Sequence, residues 1–174
     1  MRSSSHTEKF QKTGKSRSVW DLAKSSTRSI AISTELPEDV INMMETVGPI
    51  MEARGLINAN TSYSILQYCI IAKIIALDMA IQGRTAPDPE LTRFLVRRKK
   101  VKQASTHKKM MEYYPGKHTL PVSSVIPIEI AKLAEKYAPL LVEKEIIKSA
   151  TPYYMWAYCC SSVIIEISRQ LGAT

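Results

Sequence analysis

Apolar residues recur at helical spacing in five segments that are separated by Gly, Pro and polar turns. In the first segment, Pro37 comes before two acidic residues, and Gly55 stands just past the last apolar position. Pro at the start, acids in the first turn and Gly after the end are typical of a helix. We expect Gly48 and Pro49 to kink or break it. The predicted helices span residues 37–54, 61–82, 88–114, 127–149 (bent at Pro139) and 152–172.

Signals for β-structure are weaker. Residues 117–125 contain Pro121 and suit an extended conformation, but no window combines sustained alternation of Val, Ile and Thr with hairpin turns. No internal repeat with a period of about 20–50 residues is visible. We therefore predict an all-α fold, a four- to five-helix bundle over residues 35–174, behind an extended, flexible, basic N-terminal arm over residues 1–34.

Two of the predicted helices, 61–82 and 152–172, are apolar on nearly every face. A helix of this kind is buried on all sides, so we expect tight packing between subunits. A membrane span is a weaker alternative, because the uncharged part of the last helix is shorter than the roughly 20 residues that a bilayer requires. Aromatic side chains at interfaces combine apolar area with a polar group. The predicted interface residues are Trp20, Tyr68, Tyr153, Tyr154, Trp156 and Tyr158.

Positive charge is concentrated in two segments. The net charge of +8 divides into +5 for residues 1–34, −4 for 35–83, +7 for 84–118 and zero for 119–174. Localised cations favour a polyanionic partner over a general solubility role. The arm suits phosphate contact upon ordering, although a solvating tail and an organelle transit peptide have similar compositions. Its predicted nucleic-acid contacts are Arg2, Lys9, Lys12, Lys15, Arg17, Lys24 and Arg28.

The second cationic segment lies in the predicted third helix, where several cations share one face and repel one another. Binding to phosphates would offset this repulsion by releasing condensed counterions. A solvated charged face and a localisation signal are the alternatives. No sequence-reading motif is recognisable, so backbone and shape recognition is favoured over base readout. The predicted contacts are Arg93, Arg97, Arg98, Lys99, Lys100, Lys102, Lys108 and Lys109.

No catalytic or metal-binding motif is recognisable, and we predict neither an enzyme nor a cofactor, a metal or a small-molecule substrate. Lys73 and Asp78, five residues apart on an apolar helix, suggest a buried structural pair. The three cysteines, two of them adjacent, exclude a disulfide framework and indicate buried reduced thiols.

The chain combines a basic arm from Arg2 to Arg28, a basic run over 93–102 and apolar helices over 61–82 and 152–171. This combination resembles the major coat proteins of filamentous archaeal viruses, the rudivirus and lipothrixvirus-like group. The resemblance implies a helix-turn-helix-like bundle that wraps double-stranded DNA in A-form without sequence specificity. It also implies self-assembly or a heterodimer with a paralogous coat subunit. The expected location is a helical nucleocapsid in the virion, with assembly in the host cytoplasm and envelope contact as an option. The Lys-rich central run departs from the family pattern.

Two other functions fit the same residues. One is a cellular, dimeric DNA- or RNA-binding protein of chromatin or regulator type. The other is a matrix-like protein that holds anionic lipid with its basic segments.

Overall fold

The computed structural model describes residues 28–95 and 118–172. Within them, two long strands pair with each other, and four long helices pack on one face of the pair. A short helix and a 3-10 turn, Arg93–Leu95, follow the second long helix. The elements are β1 (Ser29–Pro37), α1 (Glu38–Ala53), α2 (Ser62–Ile81), α3 (Pro89–Thr92), β2 (Thr119–Pro127), α4 (Ile128–Glu143) and α5 (Pro152–Gln170).

The two strands form an antiparallel ribbon, and both alternate between buried and outward residues, so that one face of the ribbon is apolar. A two-stranded ribbon alone is marginally stable, and the helices against its inner face supply the missing burial. The inward side chains are Ile30, Ile32, Thr34 and Leu36 of β1 and Leu120, Val122, Ser124 and Ile126 of β2.

The chain contains two copies of one strand–helix–helix unit. The second unit repeats the first at an offset of 90 residues, from Ser29 to Thr119 for the strands and from Glu38 to Ile128 for the first helices. In the strand register, Ser33 pairs with Ser123, and these two residues are also equivalent to each other in the repeat. A pseudo-two-fold axis therefore passes through the centre of the ribbon. The repeat is longer than the periods considered in the sequence, and few of its equivalent residues are identical.

The units exchange contacts across this axis. The backbone N–H of Glu38 donates to His118 O at 2.9 Å, and that of Ile128 donates to Arg28 O at 3.0 Å. The first backbone N–H of α1 and of α4 is thus bonded to the residue that comes just before the strand of the other unit. Helices α2 and α5 pack against each other, α2 also packs on β2, and α5 packs on β1. The single core is shared by both units rather than divided between them.

The predicted all-α fold class is wrong, because a two-stranded antiparallel sheet forms the centre of the molecule. Residues 29–34, assigned to the arm from their charge and polarity, belong to β1. The extended conformation expected near Pro121 is confirmed as part of β2. Pro121 lies at an outward position of a two-stranded ribbon, where a missing backbone donor is tolerated.

The four long helices begin where the sequence signals predicted, but α4 ends at Glu143 rather than near residue 149. The helix predicted over 88–114 is wrong in its described part, which is helical only over Pro89–Thr92 and continues as a 3-10 turn. Asp88 caps the helix that begins at Pro89, accepting from Glu90 N at 3.0 Å. Helix α1 continues through Pro49 instead of breaking there. Gly48 is needed for a close approach, since a Cβ at this position would lie 2.0 Å from Asn60 Oδ1 in the loop that follows α1.

The two highly apolar helices are partly buried within one chain, not on every face as predicted. Helix α2 is long and apolar enough to cross a bilayer, and 44% of its most apolar window is buried in the fold. Its buried residues and those of α5 belong to the same hydrophobic core. Assembly of several subunits stays a prediction.

Candidate nucleic-acid interface

The outward face of the ribbon is open and carries small side chains at its centre. Ser33 of β1 pairs with Ser123 of β2 at the centre, Ala31 is the next outward residue of β1, Pro121 is the next outward residue of β2, and all four are exposed. Because the inner face is fully packed against the helices, the backbone of the ribbon is held in place from behind. Small outward side chains allow that backbone to approach another molecule closely.

Helices α2 and α5 begin beside the ribbon, and equivalent hydrogen bonds fasten their first turns. Thr34 Oγ1 donates to Tyr153 O, and Ser124 Oγ donates to Tyr63 O, each at 2.7 Å. These two hydroxyls explain why polar side chains stand among the inward residues of both strands. The amino ends of two long helices carry a partial positive charge. The amino end of α5 therefore lies next to β1, and that of α2 lies next to β2, at opposite edges of the ribbon.

The two ends of the ribbon differ in chemistry. At one end, the Glu35 carboxylate accepts from Tyr153 OH at 3.1 Å and Thr119 Oγ1 at 3.3 Å. The hydrogen bond to this carboxylate raises the pKa of the Tyr153 hydroxyl. At the other end, the counterpart of Glu35 is the half-buried Val125. We call these two places the acidic end (Glu35, Pro121, Thr119) and the apolar end (Ala31, Val125).

A groove of about 980 Å³ adjoins the apolar end and is lined by Arg28, Arg93, Tyr63 and Val125, among others. The Arg93 guanidinium stacks on Phe94, 4.6 Å from the ring centroid. It also reaches Glu129 at 3.8 Å. Two of the predicted nucleic-acid contacts thus meet at one flank of the ribbon, although they are far apart in sequence.

The remaining predicted contacts lie outside the described residues. Both cationic segments nevertheless join the described fold at this groove, since the arm ends at Arg28 and the basic run follows Leu95. The predicted residues of which the structure gives no account are Arg2, Lys9, Lys12, Lys15, Arg17, Trp20, Lys24, Arg97, Arg98, Lys99, Lys100, Lys102, Lys108 and Lys109.

The predicted interface aromatics fall into different environments. Tyr153 and Tyr154 are exposed, and their rings meet edge to face with centroids 5.2 Å apart. Tyr68 and Tyr158 are half-buried at equivalent positions of the two units. Trp156 is wrongly assigned to an interface, because it has 0% exposure inside the shared core. The sequence pattern of an apolar, aromatic helix is the same whether the helix packs against its own chain or against another subunit.

Asp78 is buried, but its partners are not those that the spacing suggested. Tyr137 OH donates a hydrogen bond to Asp78 Oδ1, and Arg84 Nη1 lies 3.6 Å from Oδ2. Lys73 instead lies over the Tyr158 ring, 5.3 Å from its centroid. Burial and the hydrogen bond to Asp78 raise the pKa of Tyr137. This cluster joins α2 of the first unit to α4 of the second.

The cysteines are buried and unpaired, as predicted. Burial, which disfavours the thiolate, raises the pKa values of Cys69 and Cys159. Among the described residues, no group of three His, Cys, Asp or Glu side chains could hold a metal ion.

The sequence did not indicate the outward ribbon residues as a site, because the predicted polyanion contacts were charged residues and the centre of the ribbon carries no charged side chain. The alternation in residues 29–37 and 119–127 was the available signal. The repeated Pro37 and Pro127, Thr61 and Thr151, and Tyr63 and Tyr153 at the same offset would have linked the two segments.

No known family model, curated protein or solved structure matches this chain.

Proposed function

We propose that this protein binds double-stranded DNA by placing its β-ribbon in the major groove, and that it acts as a regulator-type DNA-binding protein. The observation that carries the proposal is an antiparallel ribbon with one face packed and the other open and small. The major groove of B-DNA, about 12 Å wide, admits a two-stranded ribbon, and β-ribbon DNA readers use it in this way.

The helix starts beside the ribbon support this placement. A ribbon in the major groove has a phosphate backbone on either side, and backbone N–H groups at helix amino ends are common phosphate contacts. Helices α2 and α5 begin on opposite sides, positioned by Thr34 and Ser124. Thr151, which precedes α5, makes no side-chain cap bond to the N–H groups of that helix.

Arg28 and Arg93 add cations where the two basic segments join the fold. These segments would extend the phosphate contacts, whereas the ribbon would contact base edges. This division of roles replaces the expectation of backbone and shape recognition alone. Both strands of the ribbon belong to one chain, so a single copy can present the whole ribbon to the groove.

The test measures duplex binding by fluorescence anisotropy across a salt titration. The double variant Ser33→Glu, Ser123→Glu places two carboxylates at the centre of the open face. We expect at least tenfold weaker binding, because the longer side chains would hold the ribbon away from the base edges and their charges would be repelled by the phosphates on either side. The matched control Asn42→Glu, Thr46→Glu adds the same two negative charges at exposed positions of α1 and should bind like the unaltered chain. Equal binding by the double variant and the control would contradict the ribbon as the interface.

A second variant tests the groove beside the apolar end, where Arg28 lies. Arg28→Ala should weaken binding to all duplex sequences alike and lower the slope of log K against log salt by about one. Negative-stain imaging of the complex then separates a regulator from a coat. Small discrete complexes are expected, and long DNA-filled filaments would support the coat protein instead.

A further inference from the structure

The pseudo-two-fold axis through Ser33 and Ser123 relates the backbone of the two ribbon ends, but not their chemistry. Rotation about the axis exchanges Glu35 with Val125 and Ala31 with Pro121. A duplex whose two halves were identical would therefore meet two different protein surfaces.

Charge next to the ribbon differs in the same direction. Glu38 and Asp39 form the first turn of α1 beside the acidic end. At the equivalent place beside the apolar end, α4 begins with Ile128 and Glu129, and the exposed Arg28 lies next to them. Among the described residues, the apolar end is thus better suited to face phosphates than the acidic end.

We propose that the protein recognises a non-palindromic duplex site in one fixed orientation, with Glu35 and Val125 as the residues that distinguish its two halves. This inference rests on the proposed function. A carboxylate in the major groove accepts a hydrogen bond from the cytosine N4 amino group, whereas an apolar side chain packs against the thymine methyl group. The acidic end therefore faces a cytosine, and the apolar end faces a thymine.

Glu35 is prepared for such a role. Tyr153 and Thr119 hold its carboxylate at the outward face, so that less side-chain freedom is lost on binding. Each hydroxyl uses an acceptor position on Oε2. A carboxylate has further acceptor positions on its two oxygens, which can receive the cytosine amino group.

The experiment selects binding sites for the full chain from a pool of random duplexes. The expected motif is non-palindromic, with a cytosine preference in one half and a thymine preference in the other. Glu35→Val gives both ends the same residue at this position and should reduce the cytosine preference about tenfold, making the motif closer to a palindrome. The exchange variant Glu35→Val, Val125→Glu should swap the two preferred bases between the halves.

Glu35→Gln is the matched variant of similar shape. Gln pairs with adenine through N6 and N7, so this change should move the preference from cytosine toward adenine. Circular dichroism and thermal melting establish that each variant is folded. Because Glu35 is exposed, its replacement should change the free energy of unfolding little.

The outcomes separate the two proposals. A palindromic motif, or binding without base preference, would overturn the inference while the ribbon remains the interface. Unchanged motifs in the Glu35 variants would also overturn it. If duplex binding is absent or insensitive to the central Ser33 and Ser123 substitutions, the proposed function itself fails.

Discussion

The two strand–helix–helix units share one backbone arrangement but differ in the side chains that stabilise it. In the first unit, Leu66 fills the core position that Trp156 fills in the second. Similarly, Asp78 and Tyr137 form a polar link between α2 and α4, while Ser168 and Val47 occupy the corresponding buried positions of α5 and α1. Element positions thus depend on the pattern of burial and caps, and the identity of a core side chain can vary if the volume around it adapts.

The largest expected change in the free energy of unfolding comes from truncating one large core side chain in a single unit. Trp156→Ala should lower the free energy of unfolding by about 3–5 kcal/mol, and Leu66→Ala by about 2–5 kcal/mol, because each leaves a cavity. Since the units share one core, both variants should still unfold in a single transition. Urea titration followed by circular dichroism measures the change.

Hydrogen exchange provides the control for that comparison. Protection in α1 and α2 should fall together with protection in α4 and α5 when Trp156 is replaced. Loss confined to the second unit would show that the two units are independent domains.

A smaller effect is expected where the units differ in polarity. Tyr137→Phe removes the donor to the buried Asp78 and should cost about 1–3 kcal/mol. Combined with Asp78→Ala, it should cost less than the sum of the two single changes, with a coupling of about 0.5–3 kcal/mol. Thermal and urea unfolding of all four members of the cycle measure this coupling.

Ser168→Ala, at the position equivalent to Asp78, is the matched control. It should change stability by no more than about 1 kcal/mol, since no charge is left unpaired. Strict additivity in the Asp78 and Tyr137 cycle would mean that the polar link does not couple α2 to α4.

The smallest effect concerns the turn after the first helix of each unit. Gly55 has a φ of 77°, and Glu145 at the equivalent position has a φ of 59°. Glycine adopts this left-handed conformation without steric cost. Glu145→Gly should therefore raise the free energy of unfolding by about 0.5–1 kcal/mol. The converse change, Gly55→Ala, should lower it by a similar amount. A destabilised Glu145→Gly chain would contradict equivalence of the two turns.

Local signals were sufficient for the four long helices and for the start of the short one, because each signal acts within a few residues. Pro37 and Gly55 limit the first helix, Asp88 caps the short one, and the apolar runs of α2 and α5 appear as buried helices. The candidate site was only partly accessible in this way. Arg28 and Arg93 were identified by charge, whereas Ser33 and Ser123 carry no chemical signal until the strands are paired.

By itself, the sequence determined where the four long helices begin, that α2 and α5 contribute to the core, and that cations gather in two segments. Only the tertiary structure decided that residues 29–37 and 119–127 form one ribbon, which turns an apparent bundle into two interlocked copies of one unit. The physical reason is distance along the chain. Helical hydrogen bonds and caps join near neighbours, but a strand is completed by a partner that lies 90 residues away.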